Sequence, residues 1–147
     1  MAKMLKSEFF NRPTLVVAEE LLGKFLVCEK GGIETSLMIT EVEAYDGFED
    51  RASHAFRGRT KRNNVMFGKA GFWYVYFVYG MYEMLNIVTG PEDYPAAILI
   101  RAVGEHNGPG KLTKALGIDR RFNEKEAERK TGLWIEDRGK RNGKVIK

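Results

Sequence analysis

Two glutamates lie two positions apart in a hydrophobic segment, residues 37–45. Alternate side chains of a β-strand share a face, so Glu41 and Glu43 are predicted to lie together with Leu37, Ile39 and Tyr45. A carboxylate that is partly removed from water becomes a better proton acceptor near neutral pH. The segment therefore predicts a candidate general base. The alternative is an exposed edge strand whose glutamates serve solubility.

A second segment whose residues could take part in binding or catalysis is rich in tyrosine. Four of the six tyrosines fall within nine residues, at Tyr74, Tyr76, Tyr79 and Tyr82. Along a strand, Tyr74 and Tyr76 share one face while their neighbours face the other way, so one face can fill a core and the other can present phenol rings. A tyrosine ring stacks well on a nucleobase. The alternative is a hairpin whose tyrosines pack internally.

The charge distribution favours a polyanionic partner. The net charge is +4 with a pI near 9.2, and the cations are clustered. One cluster contains Arg51, Arg57, Arg59, Lys61, Arg62 and Lys69, and the other contains Arg138, Lys140, Arg141, Lys144 and Lys147. A solvated loop and a frayed terminus are the alternatives. Along the chain, carboxylates precede a basic loop with His54 and then an aromatic hairpin, an order that suits binding and chemistry on a nucleic acid.

Chain length and the cysteine and histidine counts indicate the number of domains and the cellular compartment. A chain of 147 residues fits one domain, residues 1–147. Cys28 is the single cysteine, so no internal disulfide can form, and its apolar flanks predict a core residue. With two histidines, His54 and His106, no Cys/His zinc site can be assembled. We see no signal peptide and no apolar run long enough for a membrane span, so we expect a soluble, cytoplasmic protein.

Hydrophobic periodicity and glycine positions predict the elements. Helices are predicted at residues 13–22, 111–116 and 123–129, and strands at residues 24–29, 33–45, 72–79, 81–88, 96–103 and 133–136. Residues 46–71 are expected to form a long loop, and residues 138–147 a basic, flexible tail. The fold class is predicted as α+β: a single domain with a mainly antiparallel, curved, barrel-like sheet, short flanking helices and a protruding aromatic hairpin.

Several motifs together resemble the alkyladenine (3-methyladenine) DNA glycosylase family, and the similarity spans residues 9–137. They are Ile39-Thr40-Glu41-Val42-Glu43-Ala44-Tyr45, His54, Arg59-Thr60-Lys61-Arg62-Asn63, Met66-Phe67, Tyr74-Val75-Tyr76-Phe77-Val78-Tyr79-Gly80-Met81-Tyr82, Asn86, Ile100-Arg101-Ala102 and Gly108-Pro109-Gly110-Lys111-Leu112. This resemblance implies base-excision repair by a monofunctional purine glycosylase. Such an enzyme flips an alkylated or deaminated purine and hydrolyses its bond to the sugar.

The resemblance also implies roles for individual residues. Glu43 matches the general base that activates water, and Arg101 matches a residue that helps position the water and a DNA phosphate. The base-binding positions are Tyr45, His54, Tyr76 and Asn86, the last crowding the 2-amino group of guanine. Tyr79 matches the side chain that intercalates into DNA, while Arg59, Arg62 and Lys111 are the candidate phosphate contacts.

No lysine Schiff base, cofactor or metal is implied. The expected partner is double-stranded DNA that contains damaged purines, bound by a monomer, with no membrane association. In a prokaryote the protein would be nucleoid-associated. The motifs leave the lesion preference open.

Three departures from the family pattern affect the pocket. Residues 102–107 form an unusually short connection between Arg101 and the Gly108-Pro109-Gly110-Lys111 motif, and Lys61 stands where proline is common. Family members also usually continue past Lys147 into a further strand near the base pocket. A weakly active or more open enzyme is therefore expected.

Two other interpretations of the sequence compete with an enzyme. One is a non-catalytic nucleic-acid-binding module that uses the same basic loop and tyrosines. Glu43 argues against this module, because a negatively charged carboxylate that faces phosphates does not help a protein that only binds nucleic acid. The other is a protein-interaction domain with the aromatic hairpin as its contact surface, in which the clustered arginines have no role.

Overall fold

A β-sheet of nine strands organises the part of the chain that the structure describes. The structure is a computed structural model and describes residues 2–47, 64–78 and 80–139, together with the backbone of 144–146. The strands are β1 (Lys3–Met4), β2 (Phe25–Lys30), β3 (Ile33–Asp46), β4 (Trp73–Val78), β5 (Tyr82–Val88), β6 (Ala96–Val103), β7 (His106–Asn107), β8 (Leu133–Asp137) and β9 (Lys144–Ile146).

The sheet is open and curved, with the order β1-β8-β2-β3-β6-β5-β4; β7 pairs with β6 and β9 pairs with β3. The pairings are antiparallel except for β9, which runs parallel to β3. The prediction of an α+β fold with a mainly antiparallel sheet is confirmed. Within the tail predicted as flexible, β9 pairs with residues 41–43 of β3.

Three short helices in the described ranges flank the sheet: α1 (Ser7–Phe10), α2 (Thr14–Leu21) and α3 (Pro109–Leu116). Single 3-10 turns occur at Asn64–Phe67, Arg120–Phe122 and Arg129–Thr131. Helix α3 begins with proline in its first turn and ends at Gly117, whose φ of 68° is the left-handed conformation that glycine adopts readily. Among the described residues, no helix has the length and apolar character needed to cross a membrane.

The two faces of the β3-β6-β5-β4 region pack against different partners. One face forms the main core with α2, α3 and the β2-β8 layer; its members include Val42, Ile98, Ile100, Leu85, Ile87, Trp73, Val75, Leu21, Leu112, Leu26 and Ile135. The opposite face carries a smaller cluster that we call the tyrosine cluster: Met66, Phe67, Tyr74, Tyr76, Val88 and Ala97, with Tyr45, Val65, Val78 and Met84 packed against it. Cys28 lies in the main core with 3% exposure, as predicted, and burial raises the pKa of its thiol.

The helix predicted over residues 123–129 is wrong. Its backbone instead bonds to the outer edge of β4: the Glu124 amide donates to Trp73 O (2.9 Å) and the Ala127 amide donates to Gly71 O (2.9 Å). Glu124 has a φ of 69°, which no helix contains. The side chain of Asn123 accepts from the Val75 amide (2.9 Å) instead of capping a helix. The open edge of β4 offers hydrogen-bond partners to this segment. A prediction from local helix propensity does not include such distant partners.

Residues 64–67, inside the segment predicted as a long loop, form a 3-10 helix. Met66 and Phe67 are buried there as members of the tyrosine cluster. Burial of these two side chains outweighs the polar, glycine-containing character of the surrounding sequence.

Candidate functional site

Two β-bulges decide which way Glu43 points. Between the pairs Ile39↔Val103 and Glu41↔Ala102, Thr40 is an extra residue on β3; between Glu41↔Ala102 and Val42↔Ile100, Arg101 is an extra residue on β6. A bulge interrupts the alternation of a strand and redirects the side chains around it.

The prediction that Leu37 and Ile39 share a face with Glu41, Glu43 and Tyr45 is therefore wrong. Ile39 is fully buried in the main core, as are Val42 and Ala44, and Leu37 packs against that core. From Glu41 onward the alternation is inverted. Glu43 is thus moved off the core and onto the face that carries the tyrosine cluster.

Glu43 begins a row of side chains that crosses four strands. It is opposite Leu99 on β6, Leu99 is opposite Asn86 on β5, and Asn86 is opposite Tyr74 on β4. Opposed residues on antiparallel neighbours present their side chains on the same face. The sheet register therefore places Glu43 and Asn86 on one surface, although they are far apart in sequence.

Among the described residues, each oxygen of the Glu43 carboxylate has one donor. The Tyr45 hydroxyl donates to Oε1, and Arg101 Nη1 donates to Oε2 at 2.9 Å. The Glu43 side chain is 17% exposed and that of Arg101 is 35% exposed, so the pair is largely buried but still in contact with solvent. Arg101 Nε is buried and has no hydrogen-bond partner among the described residues, which leaves this donor unused.

The phenol of Tyr45 stays protonated in this setting. Burial raises its pKa well above the usual range, the hydrogen bond to Glu43 and the charge of Glu43 raise it further, and the Arg101 cation opposes them only in part. Tyr45 is therefore a permanent hydrogen-bond donor to the carboxylate at any physiological pH.

Aromatic side chains line the face beside Glu43. The ring centroids of Tyr74 and Tyr76 are 5.2 Å apart with the planes tilted by 43°, and the two residues are 1% and 6% exposed. Tyr45 packs against the same cluster. Tyr74 and Tyr76 share one face of β4 while Trp73 and Val75 belong to the main core, so the predicted alternation is confirmed.

Asn86 is held rigidly within this surface. It is 1% exposed, and its Nδ2 donates to the carbonyl oxygens of Tyr74 (3.2 Å) and Met84 (3.3 Å). Both amide hydrogens are thereby satisfied by the hairpin backbone. The amide consequently forms a fixed polar point in an otherwise aromatic surface.

The Gly108-Pro109-Gly110-Lys111 motif begins α3 beside the aromatic hairpin. A Cβ on Gly110 would lie 2.2 Å from Tyr82 Cδ1, so glycine is required for the helix to approach this ring. The motif and the hairpin residues Val78, Tyr82 and Met84 line a pocket of about 270 Å³. Lys111 is exposed at this helix start. The short connection from β6 is a tight hairpin in which His106 pairs with Val103.

The structure thus brings five of the ten predicted site residues onto one face: Glu43, Arg101, Tyr45, Tyr76 and Asn86. Lys111 belongs to α3 and lines the pocket beside the hairpin. His54, Tyr79, Arg59 and Arg62 lie outside the described residues, so their roles stay predictions. The tip of the hairpin contains Gly80 with a φ of 65° and Met81 with 65% exposure.

A support on the other side of the hairpin was missed from the sequence. Arg120 lies 4.5 Å over the Phe77 ring, and its Nε donates to Glu83 Oε1 at 3.2 Å. Phe77 and Glu83 are opposed on β4 and β5. No local pattern marks this contact, because Arg120 joins the hairpin from a segment 37 residues away from Glu83.

This arrangement is suited to acid–base work on a flat aromatic ligand. A half-buried carboxylate with one fixed donor per oxygen retains lone pairs for a water molecule. Tyr45, which is partly exposed, can stack on a flat ligand, whereas Tyr74, Tyr76 and Asn86 are buried behind it. Within the described ranges, no three His, Cys, Asp or Glu side chains are grouped as metal ligands.

Comparisons with known proteins point to one family. Residues 8–147 match the family model described as methylpurine-DNA glycosylase. A protein of a Wolbachia endosymbiont of Brugia malayi, provisionally named a 3-methyladenine DNA glycosylase, is 52% identical over 128 residues, covering 82% of this chain and 73% of the relative. Relatives with the same provisional name in Methanocella arvoryzae and Rickettsia felis are 44% and 47% identical, covering 91% and 92% of this chain and 77% and 78% of theirs.

Proposed function

The chain belongs to the methylpurine-DNA glycosylase family, and from that premise we propose that it is a monofunctional purine DNA glycosylase of base-excision repair. Its substrate is duplex DNA with an alkylated or deaminated purine, and its product is an abasic site. The observation that carries the proposal is the Glu43 carboxylate, which is bonded to Tyr45 and Arg101 beside the tyrosine cluster. Hydrolysis of a base–sugar bond needs a general base that activates water, and aromatic side chains beside it can bind the nucleobase.

In the proposed reaction Glu43 accepts a proton from a water molecule that attacks the anomeric carbon of the deoxyribose. The bond from that carbon to the purine nitrogen breaks, and its electron pair leaves with the base. An N3- or N7-alkylated purine is cationic and leaves as a neutral molecule, so it needs no proton, whereas a neutral lesion such as hypoxanthine takes up one proton from the solvent as it leaves. The negative charge of Glu43 also stabilises the oxocarbenium-like sugar in the transition state.

The target base must leave the duplex to reach Glu43. Extrusion costs a few kcal/mol and costs least for a damaged or mispaired base, which contributes to selectivity. In the proposal the rings of Tyr45 and Tyr76 enclose the flipped purine. A cationic purine over a tyrosine face is further attracted by the ring quadrupole. Asn86, whose amide is fixed by two backbone carbonyls, crowds the 2-amino group of guanine and disfavours it.

The DNA backbone is held by cations around this face. The Arg101 guanidinium, whose side chain is 35% exposed, and the exposed Lys111 at the start of α3 are the described candidates for phosphate contacts. Backbone amides at a helix N-terminus also favour anions. Arg59 and Arg62 as phosphate contacts, His54 as part of the base pocket and Tyr79 as the intercalating side chain complete the proposal by family resemblance. The protein acts as a monomer in the compartment that contains the DNA.

The test uses duplexes that carry one hypoxanthine or one ethenoadenine, followed by alkali to cleave abasic sites. We expect wild type to release the lesion and Glu43→Gln to abolish release while DNA binding persists. Glu41→Gln is the matched control, because this residue shares the strand and has no assigned role; it should leave excision intact. Tight DNA binding by wild type without release of any alkylated purine would favour a binding module instead. DNA binding that is absent at every salt concentration would favour a protein-interaction domain.

A further inference from the structure

We propose that the hydroxyl of Tyr45, as distinct from its ring, is a positioning group that holds the Glu43 carboxylate in its working orientation. This inference rests on the proposed function, since it assigns a device within the same site. It separates two contributions of one side chain: the ring contacts the base, and the hydroxyl acts through Glu43.

The geometry makes the hydroxyl part of the carboxylate's fixed environment. Glu43 and Tyr45 are two residues apart on β3 and lie on the same face, so the phenol reaches Oε1 directly. Arg101 holds Oε2 from the neighbouring strand. With one described donor on each oxygen the carboxylate cannot rotate freely, and each oxygen keeps a lone pair for water. Removal of the Tyr45 hydroxyl leaves Arg101 as the remaining donor within the described ranges.

Stacking by itself does not explain a tyrosine at this position. A phenylalanine ring stacks on a purine without any polar atom, whereas a phenol removed from water is costly unless its hydroxyl is bonded. Tyr45 packs against the tyrosine cluster. Its hydroxyl is satisfied by the Glu43 carboxylate, so the cost of burying the phenol is offset by an interaction with the reacting group.

The surrounding charges make Tyr45 an important donor. Among the described residues, Arg101 from β6 and Tyr45 from its own strand are bonded to Glu43, and the charge of Tyr76 from β4 acts on Tyr45. In β9, Lys144 is opposite Glu41 and Ile146 is opposite Glu43 by strand register. Arg101 is 35% exposed, so water partly screens its charge. The raised pKa of Tyr45 means that this donor does not titrate in the working range.

The test is Tyr45→Phe, which keeps the ring and removes the hydroxyl. We expect the single-turnover excision rate to fall roughly 10-fold, with the affinity for lesion-containing DNA unchanged. Tyr45→Leu, which removes the ring as well, should in addition weaken lesion binding.

Two controls separate this role from general damage. Tyr94→Phe removes a comparable bond, from the Tyr94 hydroxyl to Asp46 Oδ1 (2.8 Å), and should leave the excision rate unchanged. In a Glu43→Gln background, where excision is abolished and DNA binding persists, Tyr45→Phe should leave the affinity for lesion-containing DNA unchanged, since the hydroxyl acts through Glu43.

The proposal is overturned if Tyr45→Phe excises at the wild-type rate, or if Tyr45→Phe weakens lesion binding in the Glu43→Gln background. A loss that lies entirely in lesion binding also overturns it. If wild type itself excises no lesion, the proposed function is wrong, and this inference fails with it.

Discussion

Replacing Glu136 by glutamine tests the polar network that closes the β1-β8-β2 side of the fold. Glu136 is 3% exposed. Its carboxylate accepts from Trp134 Nε1 at 2.8 Å and from Arg138 Nε at 3.0 Å, and Arg129 Nη2 lies 3.7 Å away. Burial alone would raise the pKa of Glu136, but the hydrogen bonds from Trp134 and Arg138 and the two arginine charges outweigh it and lower the pKa.

The expected loss follows from these contacts. Hydrogen bonds to a charged group contribute about 1.5–3 kcal/mol, and exposure of Arg138 (31%) and Arg129 (60%) reduces the ionic part. The amide introduced by the substitution still accepts from Trp134 but no longer neutralises the arginines. We therefore expect Glu136→Gln to lower the free energy of unfolding by about 2 kcal/mol. For a chain of this size that corresponds to a fall in Tm of roughly 4–8 °C.

The pH dependence gives the loss a distinctive signature. A carboxyl group whose pKa is lower in the folded state stabilises the fold above the ordinary glutamate range and loses that effect as pH falls through its lowered pKa. The difference between wild type and Glu136→Gln should thus be full at neutral pH. It should shrink as pH falls below about 4.

The measurement is thermal and urea unfolding of both proteins at a series of pH values. Asp119→Asn is the control: it removes a surface pair with Arg121 whose side chains are 41% and 76% exposed, and should leave Tm unchanged. Lesion excision by folded Glu136→Gln should equal wild type, because β8 does not contribute to the Glu43 site. Equal stability of the two proteins at pH 7, or a difference that grows in acid, would refute the reasoning.

Two further variants probe the candidate site. Asn86→Asp would aim a carboxylate at the carbonyl oxygens of Tyr74 and Met84 in a fully buried position, so urea unfolding should show a loss of roughly 2–4 kcal/mol; wild-type stability would contradict the hydrogen bonds described. Lys111→Ala should weaken binding to damaged and undamaged duplex alike and reduce the slope of log K against log salt by about 0.9. Lys114→Ala, on the same helix but away from its start, should leave that slope unchanged, and equal slopes for both variants would remove Lys111 from the DNA contact.

Local patterns were sufficient for most elements of the fold. The Gly31-Gly32 pair between two apolar runs predicted the β2-β3 hairpin, whose register is Lys30↔Ile33. The β-prone run through Trp73 and Tyr74 predicted β4. These predictions succeeded because turn residues and alternation act between close neighbours in the chain. The predicted helix after Asn123 failed because its competitor, the edge of β4, is distant in sequence.

For the candidate site, the residue types and their order are properties of the sequence alone. A carboxylate, an arginine, tyrosines and an asparagine in ordered motifs indicated the family and the roles to be tested. The tertiary structure decided which of them meet. The extra residues Thr40 and Arg101 invert the strand alternation and turn Glu43 away from the core, and the strand register aligns it with Asn86. A bulge is set by the pairing of two strands, so it leaves no periodicity that a single strand's sequence can show.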